Sequence, residues 1–257
     1  MTDTLRRAAE EWYGIKAEEG DLEKFHTFLQ KTYGGEPPDI LKKVFLSGEA
    51  ADFLTVHETY FFREPAHFAF LKDLLPSFGK SGIQICSAAV ATGCEAYSIA
   101  MMIEAYNKIA ETALSYHIDA FDINPKVIDT ACQGVYGERA MREDGSCYRY
   151  MADPYLQKTG SGYIVNTSIK RNINFFVHNV MEELPRISYD IIFFRNAFIY
   201  FTPRNRERIL SNLVAALKTG GILILGVSET AGAHHADLEE KNINDVFYFQ
   251  KRQEISL

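Results

Sequence analysis

From Ile83 onward the chain repeats one pattern: a short apolar run, a turn of small or acidic residues, then a stretch with helical spacing. Ile83-Gln84-Ile85-Cys86 runs into Thr92-Gly93 and a helix from about Cys94 to Ile109. His117–Phe121 ends at Asp122, and Pro125 opens a helix through Cys132. Proline suits that place because the first helical N–H has no partner to lose. Ile173–Val177 and Tyr189–Phe194 are further buried strands. Pro203 opens a helix through Leu217 that Gly220-Gly221 stops, and Ile222–Val227 and Val246–Gln250 are the last strands. Strand alternating with helix predicts an α/β domain with a mainly parallel sheet.

Two regions stand outside the alternation. Residues 1–75 show helical spacing in Leu5–Trp12, Leu22–Tyr33 and Ile40–Leu46, with Gly34, Gly35, Pro37 and Pro38 separating the second and third. They predict a helical N-terminal lobe, leaving 76–257 as the α/β domain. Between about 145 and 172, Tyr148-Arg149-Tyr150 and Gly160–Val165 predict a small antiparallel meander, an insertion of the kind that carries partner contacts.

Composition excludes several classes. Among 257 residues, 47% are hydrophobic and 24% charged, the profile of a soluble globular protein. Met1 to Arg7 is polar and does not read as a signal peptide, and no apolar run approaches the ~20 residues of a membrane span. Cys86, Cys94, Cys132 and Cys147 form no C-x-x-C pair, so reduced thiols and a cytoplasmic location are expected. A net charge of −7 argues against a nucleic-acid substrate, whose phosphates require a basic face. His234 and His235 lie in the polar stretch Ala231 to Asp237, read as a surface loop, and lack a third metal ligand; no metal is expected.

Ligands of open α/β sheets bind beyond the carboxyl ends of the strands. Ser87–Gly93 is rich in small residues that let backbone approach a ligand, although a plain tight turn looks the same. Asp122 ends the next strand, where a carboxylate can accept the hydroxyls of a ribose; its alternative is to cap the helix at Pro125, for which Asn124 is better placed. Glu95, one turn into its helix, either meets a ligand donor or simply favours the helix dipole. No G-x-x-x-x-G-K-[ST] segment and no G-x-G-x-x-G after the first strand occur, which weighs against ATP and NAD.

Five ordered segments resemble one family, the CheR-type protein-glutamate methyltransferases. His57–Arg63 (H-E-T-Y-F-F-R) resembles its N-x-T-x-F-F-R, and Ser87–Ser98 (S-A-A-V-A-T-G-C-E-A-Y-S) is similar to its S-A-A-C-S-T-G-E-E-P-Y-S. Phe121–Asn124 with Gly134-Val135-Tyr136 and Arg139 resembles its D-I-D and G-x-Y. Phe193–Phe201 resembles C-R-N-V-x-I-Y-F, and Gly226–Glu229 resembles G-x-S-E. The resemblance implies a Rossmann-like sheet of seven strands that binds S-adenosylmethionine and releases S-adenosylhomocysteine. It implies that His57, Thr59, Arg63 and Glu95 lie at the methionine end of the cofactor and Asp122 at its ribose. Asn179 and Val180 would flank the adenine, and Arg195, Asn196 and Tyr200 would line the place where the methyl group moves. The implied reaction forms glutamyl methyl esters on the cytoplasmic part of chemotaxis receptors, and the chain is expected to be a monomer.

Three site positions depart from the family: His57 replaces its asparagine, Cys94 the first Glu of G-E-E, and Ala96 its proline. Residues 1–50 hold seven Lys or Arg against ten Asp or Glu, a net of −3, so the resemblance does not extend to the family's basic docking helix. The chemistry suits these residues: a glutamate, with an ordinary pKa of ~4.3, is already a nucleophile at neutral pH. It needs positioning by donors such as arginine or tyrosine more than a base. Which of Arg63 and Arg195 meets which carboxylate is open in the sequence. N-P-P-Y, D-P-P-Y and Pro-Cys are absent, against a nucleic-acid methyltransferase. A small-molecule methyltransferase or a degenerate cofactor-binding module are the alternatives.

Overall fold

The computed structural model describes residues 2–79, 82–110, 114–185, 188–230 and 233–253. Five helices come first: α1 (Thr2–Tyr13), α2 (Glu19–Tyr33), α3 (Pro38–Leu46), the single turn α4 (Ala51–Leu54) and α5 (Pro65–Leu74). The first three answer to the apolar spacing, and α2 ends on Gly34 in the left-handed conformation at φ 76°. The last two had no sequence reading. The alternating region follows as β1 (Ile83–Ala88), α6 (Cys94–Ile109), β2 (Tyr116–Asp122) and α7 (Pro125–Gln133).

An insertion comes next: β3 (Val135–Gly137), α8 (Arg149–Ala152), β4 (Leu156–Thr159), β5 (Gly162–Val165) and α9 (Thr167–Lys170). Then β6 (Ile173–Val177), β7 (Tyr189–Phe194), α10 (Pro203–Ala216), β8 (Leu217–Leu225), β9 (Leu238–Ile243) and β10 (Val246–Lys251) complete the fold.

The main sheet has seven strands in the order β6-β2-β1-β7-β8-β10-β9. From β6 to β8 all pairings are parallel, whereas β10 runs antiparallel to both β8 and β9. Connections leave β1 toward β2 on one side, while β7 lies on its other side, so strand order reverses between β1 and β7. The crevice at such a reversal is where these sheets take ligands.

Three expectations need correction. β6, read from its apolar residues as a buried strand, is the edge strand of the main sheet, and none of its residues is buried. Tyr148-Arg149-Tyr150 is helical, part of a 3-10 turn and α8. The third strand of the insertion is instead β3, paired with β5 in a sheet ordered β3-β5-β4. Gly220 and Gly221 do not end α10. The helix ends at Ala216, and both glycines lie inside β8, where Gly221 packs so close to backbone that a Cβ would fall 2.8 Å from the Lys218 carbonyl.

Apolar side chains fill both sheet faces. On one, Leu5, Phe25 and Val44 of the N-terminal helices join Ile209 and Leu213 of α10 over Ile192 and Leu223. On the other, Phe68 of α5 and Met102 of α6 pack with Ile85 and with Tyr163 of the insertion. The N-terminal helices thus share a core with the sheet. Among the described residues no helix is long and apolar enough to cross a membrane.

Candidate active site

The β1–α6 loop is built from small residues in unusual conformations. Ala89 and Ala91 have φ of 55° and 50°, and Gly93 has 90°. Small side chains lower the steric cost of this left-handed backbone, which bulky residues rarely adopt. The Val90 amide donates to the Phe121 carbonyl at 2.9 Å, tying the loop to β2. Asp122 completes the tie: its Oδ2 accepts the Ala91 amide at 2.9 Å and its Oδ1 the Asn124 amide at 3.0 Å. Asn124 caps α7 through its own Oδ1, which accepts from the Lys126 amide, so Asp122 is spared that task. Burial raises the Asp122 pKa above the ordinary aspartate value, and the two amides pull it partly back.

The segment before α5 forms the facing wall. The Thr55 hydroxyl and the His57 Nε2 are 2.6 Å apart, and the Asn124 Nδ2 lies 3.1 Å from the same ring nitrogen. Arg63 donates to the Glu58 carbonyl at 2.9 Å and stands over the Tyr60 ring, 5.7 Å from its centroid. Tyr60 is fastened to the insertion by donating to Asp144 at 2.7 Å.

At the end of β7, Arg195 is fixed by two carboxylates. Nη1 donates to Glu95 Oε2 at 2.9 Å and Nη2 to Glu64 Oε2 at 3.0 Å, with the side chain 1% exposed. Its Nε has no hydrogen-bond partner among the described residues. Glu95 is held in turn by the Ser87 hydroxyl at 2.7 Å. Asn196 sits at φ 58°, donates from Nδ2 to Glu64 Oε1 at 2.8 Å, and donates its amide to Glu229 Oε2 at 2.7 Å. Glu229, itself buried, also accepts the amides of Gly226 and Ile199 and so shapes the turn that carries Tyr200. Burial raises its pKa against those amide contacts. The Tyr200 hydroxyl has no hydrogen-bond partner among the described residues. Its backbone is anchored where its carbonyl accepts the Lys16 amide at 2.8 Å, and Ile15 and Phe201 form a β-bridge.

One cleft gathers the ten residues that the resemblance assigns to cofactor and methyl transfer: His57, Thr59, Arg63, Glu95, Asp122, Asn179, Val180, Arg195, Asn196 and Tyr200. It encloses about 1010 Å³, a figure that includes space open to solvent. Asn179 lines it but spends its side chain on the protein, donating to the Trp12 carbonyl at 2.8 Å and accepting the Met181 amide at 3.0 Å.

Residues 57–247 match the model of the CheR methyltransferase, SAM binding domain, family. This chain belongs to the CheR methyltransferase family. It is 37% identical over 187 residues to chemotaxis protein methyltransferase 1 of Vibrio cholerae serotype O1, covering 70% of this chain and 67% of that one. Against the chemotaxis protein methyltransferase of Borreliella burgdorferi the identity is 33% over 193 residues, covering 71% and 67%. It is 29% identical over 215 residues to the probable biofilm formation methyltransferase WspC of Pseudomonas aeruginosa, covering 78% of this chain and 48% of that one. The chain is therefore an S-adenosylmethionine-dependent methyltransferase.

The cleft fits that cofactor. Asp122 is a buried carboxylate whose oxygens each accept one amide, which leaves lone pairs for a diol. Val180, Phe121 and Ile123 give an apolar surface for a purine, and Glu95 and Arg63 bring opposite charges to the far end. Of the CheR departures, Cys94 does not reach the cleft: it is buried, and burial pushes its thiol up to about 12, so it stays protonated. Sequence reasoning missed Glu64, which joins Arg195 to Asn196, and gave Glu229 no role. The only signals were the acid after F-F-R and the end of G-x-S-E.

Proposed function

We propose that this CheR-family enzyme methylates glutamate side chains on the cytoplasmic part of chemoreceptors, acting as a cytoplasmic monomer. The observation that carries the reading is a pair of underused donors in one cleft. Among the described residues the Tyr200 hydroxyl has no hydrogen-bond partner, and Arg63, which donates to the Glu58 carbonyl and stands over the Tyr60 ring, has no carboxylate at ion-pair distance. Arg195, by contrast, has both Nη atoms on carboxylates.

When bound, S-adenosylmethionine supplies an electrophilic methyl group on sulfur. Asp122 would hold the ribose, Asn179 and Val180 would flank the adenine, and His57, Thr59, Arg63 and Glu95 would hold the amino-acid end. Arg195 and Asn196 line the reacting region. Tyr200 donates a single hydrogen bond to the acceptor carboxylate, which aims one oxygen without removing its negative charge. No base is required, because a glutamate is ionised at neutral pH. The relatives named for chemotaxis support the acceptor class.

The test is transfer of labelled methyl groups from S-adenosylmethionine to chemoreceptor-enriched membranes, followed by mild base. Label released as methanol is expected, as a carboxyl ester requires. Base-stable label, or none from a protein that binds the cofactor, would overturn the glutamate reading.

A further inference from the structure

Glu64 occupies a place its residue type does not favour. It has φ 59° and ψ 73°, left-handed backbone that asparagine, aspartate and glycine adopt far more readily than glutamate. It also precedes Pro65, which narrows the conformations open to it. What that backbone achieves is the reach of one carboxylate to two residues of the site. Oε2 lies 3.0 Å from Arg195 Nη2, and Oε1 accepts from Asn196 Nδ2 at 2.8 Å. Behind it the buried His67 brings Nδ1 to 3.1 Å from Oε2, without hydrogen-bond geometry. Glu64 itself does not line the cleft; it acts on residues that do.

Charge gives this arrangement its meaning. Arg195 with Glu95 alone would be a neutral pair. Adding Glu64 places two carboxylates on one guanidinium, and Arg195, Glu95 and Glu64 sum to −1. A lone guanidinium would repel a sulfonium and would capture an incoming carboxylate as a bidentate ion pair, dulling it as a nucleophile.

We propose that Glu64 is a positioning residue that clamps Arg195 and Asn196 and carries the Arg195–Glu95 pair from neutral to net negative, so that the cleft favours the cationic sulfonium over its neutral thioether product. This rests on the placement of Arg195 and Asn196 at the reacting region given above.

The experiment compares calorimetric affinities for S-adenosylmethionine and S-adenosylhomocysteine, which differ in the charged sulfur. Glu64→Gln removes the charge at nearly constant shape. Glu64→Asn removes it with a residue that tolerates left-handed backbone and so guards against a folding failure. Glu64→Asp keeps the charge. The expected result is that both neutral variants lose about fivefold in affinity for S-adenosylmethionine relative to S-adenosylhomocysteine. Glu64→Asp should keep the wild-type ratio within about twofold, even if both ligands bind more weakly. An unchanged ratio in a folded neutral variant overturns the proposal. So does an equal shift in Glu64→Asp, since that would make the role one of shape alone. A wild-type protein that binds both ligands but esterifies no receptor would fail the glutamate reading while leaving this inference standing on its own affinities.

Discussion

The Glu229 Oε2 accepts the backbone amide of Asn196 at 2.7 Å, a contact across 33 residues that holds the turn at the end of β7. The same carboxylate takes the amides of Gly226 and Ile199. Glu229→Ala leaves all three amides without their acceptor, and an unmet buried donor costs about 1–3 kcal/mol. A loss of roughly 3 kcal/mol or more in urea unfolding is expected, with turnover falling further than stability alone explains. A variant as stable as wild type would show that the turn holds itself.

Tyr200 is the complementary case. Its hydroxyl has no hydrogen-bond partner among the described residues, so Tyr200→Phe should leave stability within about 0.5 kcal/mol. Turnover should fall about 10- to 100-fold while S-adenosylhomocysteine affinity stays within twofold, because a hydrogen bond to a charged oxygen is worth about 1.5–3 kcal/mol. Single-turnover rates beside calorimetry separate the two effects; equal rates would remove the residue from the reaction.

For Asp122→Ala the order is reversed. The substitution strips the diol acceptor and should weaken cofactor binding by about 10- to 100-fold, roughly 1.4–2.8 kcal/mol. Some stability is lost as well, since Ala91 and Asn124 lose their acceptor. Calorimetry on the folded variant decides, and wild-type affinity would refute the ribose assignment.

Glu64 gives an acid signature. Burial would raise its pKa, but His67, Arg195 and Asn196 outweigh it and hold the carboxyl well below the usual range. A depressed folded pKa stabilises above the ordinary value of ~4.3 and is lost as pH falls toward the folded value. Wild type should therefore lose about 1–2 kcal/mol more than Glu64→Gln between roughly pH 5 and 3. Asp122 and Glu229, whose pKa values are raised, contribute with the opposite sign; Asp122 does so alike in both proteins, whereas the Glu229 shift loses the part that the Glu64 charge adds. Parallel urea midpoints across that range would contradict the ion pair.

The thiols divide cleanly. Cys132 and Cys147 are exposed, while Cys86 and Cys94 are buried with burial raising both thiols. A disulfide reagent at pH 8 should modify two thiols quickly and the other two only on unfolding. Rapid modification of Cys94, mapped by mass spectrometry, would mean that the loop before α6 opens.

Elements whose burial follows a period were legible in the sequence: the first three helices and the strands of the parallel sheet. Tyr148-Arg149-Tyr150 misled because aromatic residues favour strands, yet the preceding turn and Pro154 leave room only for short helical turns there. β9 carries Glu239, Glu240 and Lys241 and has no apolar alternation. Its pairing is imposed by the tight turn at Asn244 and Asp245, with φ of 52° and 62°. At the site, strand-end residues were visible because topology puts strand ends together. Glu64 was not, since its meeting with Arg195 spans 131 residues and depends on tertiary packing. Nor could the sequence show that the Asn179 side chain would be taken by the Trp12 carbonyl, 167 residues away.

The Ile15–Phe201 bridge sits among several ties between the chain's beginning and the Tyr200 turn. The Gly14 carbonyl accepts the Asn205 side chain at 2.9 Å, and the Lys16 amide donates to Tyr200. Glu229 grips the same turn from the other direction. On the ribosome the first of these residues emerges long before the last. A partly synthesised chain that still lacks Glu229 therefore has no finished turn at Tyr200.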